Sequence, residues 1–403
     1  MLKLYRESFS GLSRSIWMLA LVLFINRSGT MVIPFMTVYL TTDLGFTFSQ
    51  AGVIMMFFGG GAVLGSFGGG WLTDKIGFYK VQFWSLFLSG MMFILLAFME
   101  TFWGLCITIF ILSMIAESFR PANSTAVAAY SKPDNLTRSF SLLRIAVNVG
   151  YSIGPALGGL LASTIGYKYL FWVDGFTCMF AGLMMLIFLP FKRIAPSLKK
   201  KRIASGVVRK AHTDIPYLVF IGMVFLTAAA FLQLFTAIPV FFKTELHLTE
   251  LQIGGLITMN GLLIGITEMP LVHSIEGRFR RLHLVIIGTT LFGIAFLSFM
   301  LPIGGLLLGV IAIIILSIGE MLNMPFANTI AMDRATEATR GQYMAFYTSA
   351  YSIAHIFSPF LGMRIAEQFG FDILWVVLFS LCFFAILGFW SLDRYLIRQS
   401  ALA

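Results

Sequence analysis

Charge is scarce in this 403-residue sequence: Asp, Glu, Lys and Arg together make up 11% of it, against roughly 25% in an ordinary soluble domain. Acidic residues are the scarcer sign, so 28 Lys and Arg against 18 Asp and Glu leave a formal charge of +10. Cysteine is nearly absent as well. Cys106, Cys178 and Cys382 all fall inside apolar runs, which excludes a disulfide scaffold and a metal cluster. The chain contains no His-Glu-x-x-His, no Gly-x-Ser-x-Gly and no Gly-x-x-x-x-Gly-Lys-Ser/Thr, so zinc proteolysis, serine hydrolysis and P-loop nucleotide chemistry lack their usual motifs. No enzyme, no cofactor, no metal and no nucleic-acid partner is expected.

What is present is apolar: 58% of the residues are hydrophobic, more than a water-facing fold of this size can hide. A bilayer-spanning helix takes about 20 mostly apolar residues. Runs of that kind fall at 16–40, 48–71, 81–99, 102–126, 139–164 and 168–190, then at 215–241, 251–275, 282–301, 303–330, 341–366 and 371–391. The reading is an all-α membrane protein of twelve transmembrane helices. The first run is too long for a signal-peptide core and reads as a retained helix. Residues 191–213, which hold eight Lys and Arg, read as a basic solvated linker between residues 1–190 and 214–403.

Orientation follows from where the positive charges fall. With the N-terminus inside, the inward segments carry 22 Lys and Arg and the outward loops only Lys168 and Lys243. Arg27, Arg120, Arg144 and Arg364 lie within helices. Both termini are therefore expected on the cytoplasmic side.

The two halves also repeat. Ile115-Ala116-Glu117 returns as Ile318-Gly319-Glu320 and Phe171-Trp172 as Leu374-Trp375, both at an offset of 203; Gln50-Ala51-Gly52 returns as Gln252-Ile253-Gly254 at 202, and Pro155 with Gly158 as Pro359 with Gly362 at 204. Two pseudo-symmetric six-helix bundles, with a site midway across the membrane, are a secondary-transporter architecture.

Two segments carry a family resemblance. Gly70-Trp71-Leu72-Thr73-Asp74-Lys75-Ile76-Gly77-Phe78-Tyr79-Lys80 resembles the cytoplasmic loop signature of the major facilitator superfamily. Gly150-Tyr151-Ser152-Ile153-Gly154-Pro155-Ala156-Leu157-Gly158-Gly159 is similar to the antiporter motif of its bacterial twelve-helix drug:proton exporters. The resemblance implies alternating access driven by the proton gradient, a location in the bacterial inner membrane and a small-molecule substrate; a monomer is the expected state. It also implies that Gly70, Asp74, Lys75 and Gly77, with Gly150, Gly154, Pro155, Gly158 and Gly159, form conformational contacts, Asp74 lying near the start of helix 11. Phe78 departs from the pattern, standing where the family often has Arg. Independently of family, the glycines at 150, 154 and 158 repeat at i, i+4 and clear a ridge for close helix contact, for which the Gly254, Gly261 and Gly265 ridge of helix 8 is an expected partner.

Ionisable groups at membrane depth are costly and mark pathways or pairs. Glu117 and Arg120 share a helix face, and with Arg27 and Glu320 they are the candidate proton-coupling set. A carboxylate that gains and loses an Arg neighbour would switch its protonation; a permanent structural ion pair is the other reading. Asp174 reads as a residue close to the outer water at a helix end. Glu268 and His273 read as part of a loop cluster with Glu276 and Arg278. The expected substrate cavity draws on Asn26, Met31, Phe35, Arg144, Asn148, Tyr151, Phe231, Gln233, Phe235, Asn323, Tyr347, Tyr351 and His355, whose aromatic and thioether surfaces suit amphipathic molecules. Proton-coupled efflux of such molecules leads. The competing reading is a proton symporter for small nutrients such as short peptides; those carriers typically have Glu-x-x-Glu-Arg in helix 1, where this chain has Leu23-Phe24-Ile25-Asn26-Arg27, the Arg without either carboxylate.

Overall fold

A chain crossing hydrocarbon must close every backbone hydrogen bond within itself, and a run of apolar residues does so only as a helix. The computed structural model describes residues 11–131, 136–191, 211–275, 278–302, 304–334 and 340–402, and no strand occurs among them. The helices are α1 (Arg14–Asp43), α2 (Phe48–Ile76), α3 (Phe78–Leu96), α4 (Phe102–Tyr130), α5 (Leu136–Thr164), α6 (Lys168–Phe188), α7 (215–244), α8 (Glu250–Ile275), α9 (Arg281–Ser298) and α10 (Gly305–Asp333). A last helical stretch, Arg340–Leu402, is divided at Gly370, whose φ of 83° is a backbone state that glycine enters without penalty. Its parts are α11 (340–369) and α12 (371–402), which completes the twelve expected spans. The basic linker at 192–210 and Glu276 of the expected loop cluster lie outside the described residues.

The chain clusters into two compact units. The first comprises residues 1–46, 53–196 and 249–265, the second 47–52, 197–248 and 266–403. Glycine sets the closest helix approaches in each. In the first, Gly61, Gly65 and Gly69 of α2 lie against Phe110, Met114 and Ser118 of α4, and Gly90 of α3 meets Gly175 of α6. In the second, Gly288 of α9 meets Gly319 of α10, and Gly293 of α9 lies against Phe379 and Cys382 of α12. Gly90 and Gly293 are separated by the repeat offset of 203, so the α3–α6 crossing recurs as α9–α12.

Neither α1 nor α7 is continuous. The first helical stretch of α1 ends at Ser28 and the helix restarts at Val32, continuing to Val38 before a π turn. α7 runs to Phe231, tightens into a 3₁₀ turn over Leu232–Phe235 and restarts at Ala237. Each restart has proline as its third residue, Pro34 in one and Pro239 in the other. The N–H groups of a first helical turn have no intrahelical partner, so proline loses nothing there and fixes a helical φ.

Candidate functional site

The break in α1 is held from α6. Asp174 lies well inside that helix and is 1% exposed. Its Oδ1 accepts a hydrogen bond from the Met31 N–H at 3.0 Å, while Oδ2 accepts from Met31 at 3.2 Å and from Val32 at 3.0 Å. The Val32 donor exposed by the interruption is thereby satisfied, and Met31, which also donates to the Gly29 carbonyl at 2.8 Å, gains a further acceptor. This corrects the expectation of a helix-end residue near water: hydropathy gives depth along α6, whereas the side chain is turned inward onto α1.

Around the break lies a cavity of ≈ 90 Å³ within the first unit, lined by Asn26, Arg27 and Thr30 of α1, Phe58 of α2, Ser85, Ser89 and Phe93 of α3, Leu112 and Glu117 of α4, and Asp174 and Cys178 of α6. The wall is mostly apolar, but Asn26, Arg27, Ser85, Ser89, Glu117 and Asp174 give it enough polar groups to hold water at that size. Ser85 and Ser89 donate their hydroxyl hydrogens to carbonyls of α3, at 3.1 and 2.5 Å, which leaves oxygen lone pairs to face the cavity. Asn26 Nδ2 donates to the Cys178 sulfur at 3.2 Å. Arg27 is half-buried, and its Nε has no acceptor among the described residues. Glu117 ends the first segment of α4, where Ser118 interrupts the helix and Pro121 follows. Its Oε2 meets Arg120 Nη2 at 3.0 Å; the side chain of Glu117 is 21% exposed and that of Arg120 is 70%.

Three expected residues, Asn26, Arg27 and Glu117, thus share one cavity, with Arg120 paired to Glu117 at its edge. Asp174 joins them. The sequence holds a second signal for this place: Pro34 and Pro239, at matching places in the two halves, mark broken helices, which carry transporter sites.

Several other residues expected in a substrate cavity are taken up by helix packing. Met31 and Phe35 are buried to 2% and 1% and lie against Gly158. Asn323 donates to Thr289 Oγ1 at 2.9 Å and to the Val285 carbonyl at 3.4 Å, which ties α10 to α9. Gln233 donates to the Ser358 carbonyl and hydroxyl at 2.8 and 2.9 Å and accepts from Thr236 at 2.9 Å, which holds the break in α7. Phe231 is buried, its ring centroid 5.7 Å from that of Phe292 and 5.9 Å from that of Phe235. These side chains are polar or aromatic at the right depth, but bonds within the bundle use them. Arg144 is exposed on α5, Asn148 and Tyr151 are half-buried there, and His355 is half-buried on α11. Tyr347 and Tyr351 of α11 form a ring pair at 5.4 Å. Glu320 and Glu268 lie on α10 and α8, the first half-buried and the second 7% exposed.

The glycine ridge of α5 meets a different partner from the one expected. Gly150 abuts the Phe24 carbonyl and Arg27, Gly154 abuts the Thr30 carbonyl, and Gly158 abuts Met31 and Phe35. The ridge therefore cradles the break in α1. The start of α8 lies on the neighbouring face: Gly254 against Pro155 and Gly159, Gly261 against Ser152, and Glu250 against Gly159. Spacing at i, i+4 defines a face of α5 but not the helix it receives. At the other motif, Gly77 turns the chain from α2 into α3 with φ of 89°, Asp74 and Lys75 are exposed, Gly70 is half-buried, and Lys75 sits 4.7 Å from the Trp71 ring. Phe78 is 2% exposed, its ring centroid 5.6 Å from that of Tyr130.

A family model described as the Major Facilitator Superfamily matches residues 16–335 and 219–398. The chain belongs to that superfamily. Like its relatives it is an integral membrane transporter built from two six-helix bundles. It is 25% identical over 362 residues to the uncharacterized MFS-type transporter YttB of Bacillus subtilis (strain 168), covering 89% of each chain. It is 22% identical to a Na(+), Li(+), K(+)/H(+) antiporter of Planococcus maritimus, covering 91% of each. Over 200 residues, 49% of each chain, it is 28% identical to the quinolone resistance protein NorA of Staphylococcus aureus (strain Mu50 / ATCC 700699). Among solved structures, a peptide transporter POT in complex with sulfate shares the fold, with a TM-score of 0.77 at 16% identity over 96% of each chain.

Proposed function

We propose that this transporter exchanges protons for a small amphipathic molecule, exporting it across a bacterial inner membrane by alternating access, with both termini cytoplasmic. The observation that carries this reading is the cavity at the break in α1, with ionisable groups on its wall. There a carboxylate, Glu117, shares the cavity wall with Arg27 and meets Arg120 at 3.0 Å, and a carboxylate whose cationic neighbours change between states is what proton exchange requires. Two relatives support the mode and the substrate class: one named as a cation/proton antiporter, the other for quinolone resistance. Uptake with protons is disfavoured by helix 1, where Arg27 lacks the two preceding carboxylates of peptide symporters. The protein works as a monomer without a cofactor or metal, returns its substrate chemically unchanged, and draws its energy from the proton gradient.

The test is a panel of lipophilic cations, neutral drugs, dipeptides and sugars added outside proteoliposomes that enclose an acidic lumen and a pH dye. Exchange predicts that one compound speeds alkalinisation of the lumen and accumulates there. No response to any cation or drug, with dipeptides carried in alongside protons, would replace efflux by symport.

A further inference from the structure

We propose that Asp174 is a proton-binding group of this transporter, taking its proton through the α1 cavity and loosening the outer part of α1 when it does so. The inference rests on the exchange reading and adds to it a second carboxylate, which couples the proton to a moving element.

Burial and partners come first. Asp174 is 1% exposed, and no cation stands within ion-pair distance of it among the described residues. Its hydrogen-bond partners are the N–H groups of Met31 and Val32. An unpaired carboxylate in an apolar interior is costly to keep charged, and taking up a proton is the ordinary way to relieve that cost. The groups facing it are few. α1 contributes Arg27, α4 contributes Glu117 and α6 contributes Cys178; α2 brings Phe58, and α3 brings Ser85, Leu86, Ser89 and Phe93, none of which titrates in the ordinary range. α5 meets the break through Gly150, Gly154 and Gly158.

Comparison of the two repeats shows that the fold does not need a carboxylate at this place. The break in α7 is held by Gln233, Thr236 and Ser358, all neutral, and the position 203 residues after Asp174 is Val377. Ser89, on the cavity wall, corresponds in the same way to Phe292, which is fully buried against Gly319. Both halves break a helix; in the first, a cavity with Ser85, Ser89 and Glu117 on its wall adjoins the break, and the group that caps it can titrate. Glu117 opens the route, since it is partly exposed and its partner Arg120 largely so. A proton held at Glu117 reaches Asp174 across the water of that cavity. Once protonated, Asp174 offers Met31 and Val32 a weaker acceptor than the charged carboxylate did, so the restart of α1 is less firmly held.

Two readouts that need no substrate test this on the purified full-length protein in lipid nanodiscs. Infrared difference spectra between mildly alkaline and mildly acidic pH should contain a protonated-carboxyl band that is lost in Asp174→Asn and kept in Glu117→Gln. Hydrogen exchange, corrected for the intrinsic effect of pH, should show protection across residues 29–36 falling on acidification in the wild type and staying flat in Asp174→Asn. Asp174→Glu, which keeps a titrating group, should restore the fall; it serves as the deciding variant if Asp174→Asn does not fold. Spectra identical between wild type and Asp174→Asn, with protection independent of pH in both, would overturn the proposal and leave a fixed cap. Proton exchange measured with the compound panel separates the two failures. Flux with a silent Asp174 sinks this inference alone; absence of flux in the wild type sinks the exchange reading on which it rests.

Discussion

The carboxylate of Asp174 in α6 accepts hydrogen bonds from the backbone N–H of Met31, 143 residues earlier in the chain, at 3.0 and 3.2 Å. This bond joins the break in α1 to the body of the first unit. Removing the acceptor while keeping the volume, as in Asp174→Leu, strands the Val32 donor and leaves Met31 only its 2.8 Å bond to the Gly29 carbonyl. A stranded donor costs about 1–3 kcal/mol. Asp174→Asn keeps one acceptor oxygen and should cost less. Thermal unfolding followed by tryptophan fluorescence should rank wild type above Asp174→Asn and Asp174→Asn above Asp174→Leu; equal stability of the two variants would count against a capping role.

The α5 ridge gives a steric prediction. A Cβ at Gly154 would stand 2.6 Å from the Thr30 carbonyl oxygen, and one at Gly150 2.7 Å from that of Phe24, closer than a methyl group tolerates. Gly154→Val should therefore force α1 and α5 apart, at about 1–3 kcal/mol or more, and abolish transport. Leu157→Ala, on the exposed face of the same helix, should leave both stability and transport near wild type. Yield of folded protein by size-exclusion chromatography checks the pair.

Glu117→Gln should fold normally, because its ion-pair partner, Arg120, has a 70% exposed side chain and no packed neighbour among the described residues depends on the pair. Proton-driven accumulation of the transported compound should fall at least about tenfold, a loss of roughly 1.4 kcal/mol in coupling. Unchanged coupling in Glu117→Gln would remove Glu117 from the mechanism.

A pH effect on stability is expected at the start of α7. Asp214 caps that helix and is held by Arg334 Nε and Nη2, both at 2.7 Å, and by the Tyr343 hydroxyl at 2.9 Å. Burial works to raise its pKa, but the hydrogen bonds from Arg334 and Tyr343 together with the Arg334 charge outweigh it and hold the carboxyl below its ordinary value. A depressed carboxyl stabilises the fold fully above the unfolded value of about 3.9 and loses that contribution as pH falls through the folded one. Asp214→Asn should thus lower stability at neutral pH by on the order of 3 kcal/mol. The gap to wild type should hold down to about pH 4 and close only below it. A gap that closes between neutral pH and about pH 5 would refute this assignment.

Much of the architecture was legible because hydrophobicity and repeat spacing report on length and depth. The twelve runs match the twelve helices closely, and Ile115-Ala116-Glu117 with its copy at 318–320 announced the duplication. Contacts were less legible. The run at 16–40 is apolar throughout, so the interruption at residues 29–31 leaves no dip in hydrophobicity; the repeated pair Pro34 and Pro239 was the signal for it. Asp174 was placed by depth alone, which cannot tell a side chain facing water from one turned onto α1. Asn323 and Gln233 were read as available polar groups, but a polar side chain inside a bundle is bonded to a neighbouring helix more readily than left open.

Proton exchange is the central claim, and one experiment addresses its sign without an imposed pH gradient. Proteoliposomes are loaded with a transported compound and diluted into compound-free buffer at the same pH, and the lumen pH is followed as the compound leaves. Exchange predicts that the lumen acidifies, because each departing molecule admits protons, and that Glu117→Gln vesicles show no such change. A lumen that turns alkaline as the compound leaves, or efflux with no pH change at all, would contradict the account.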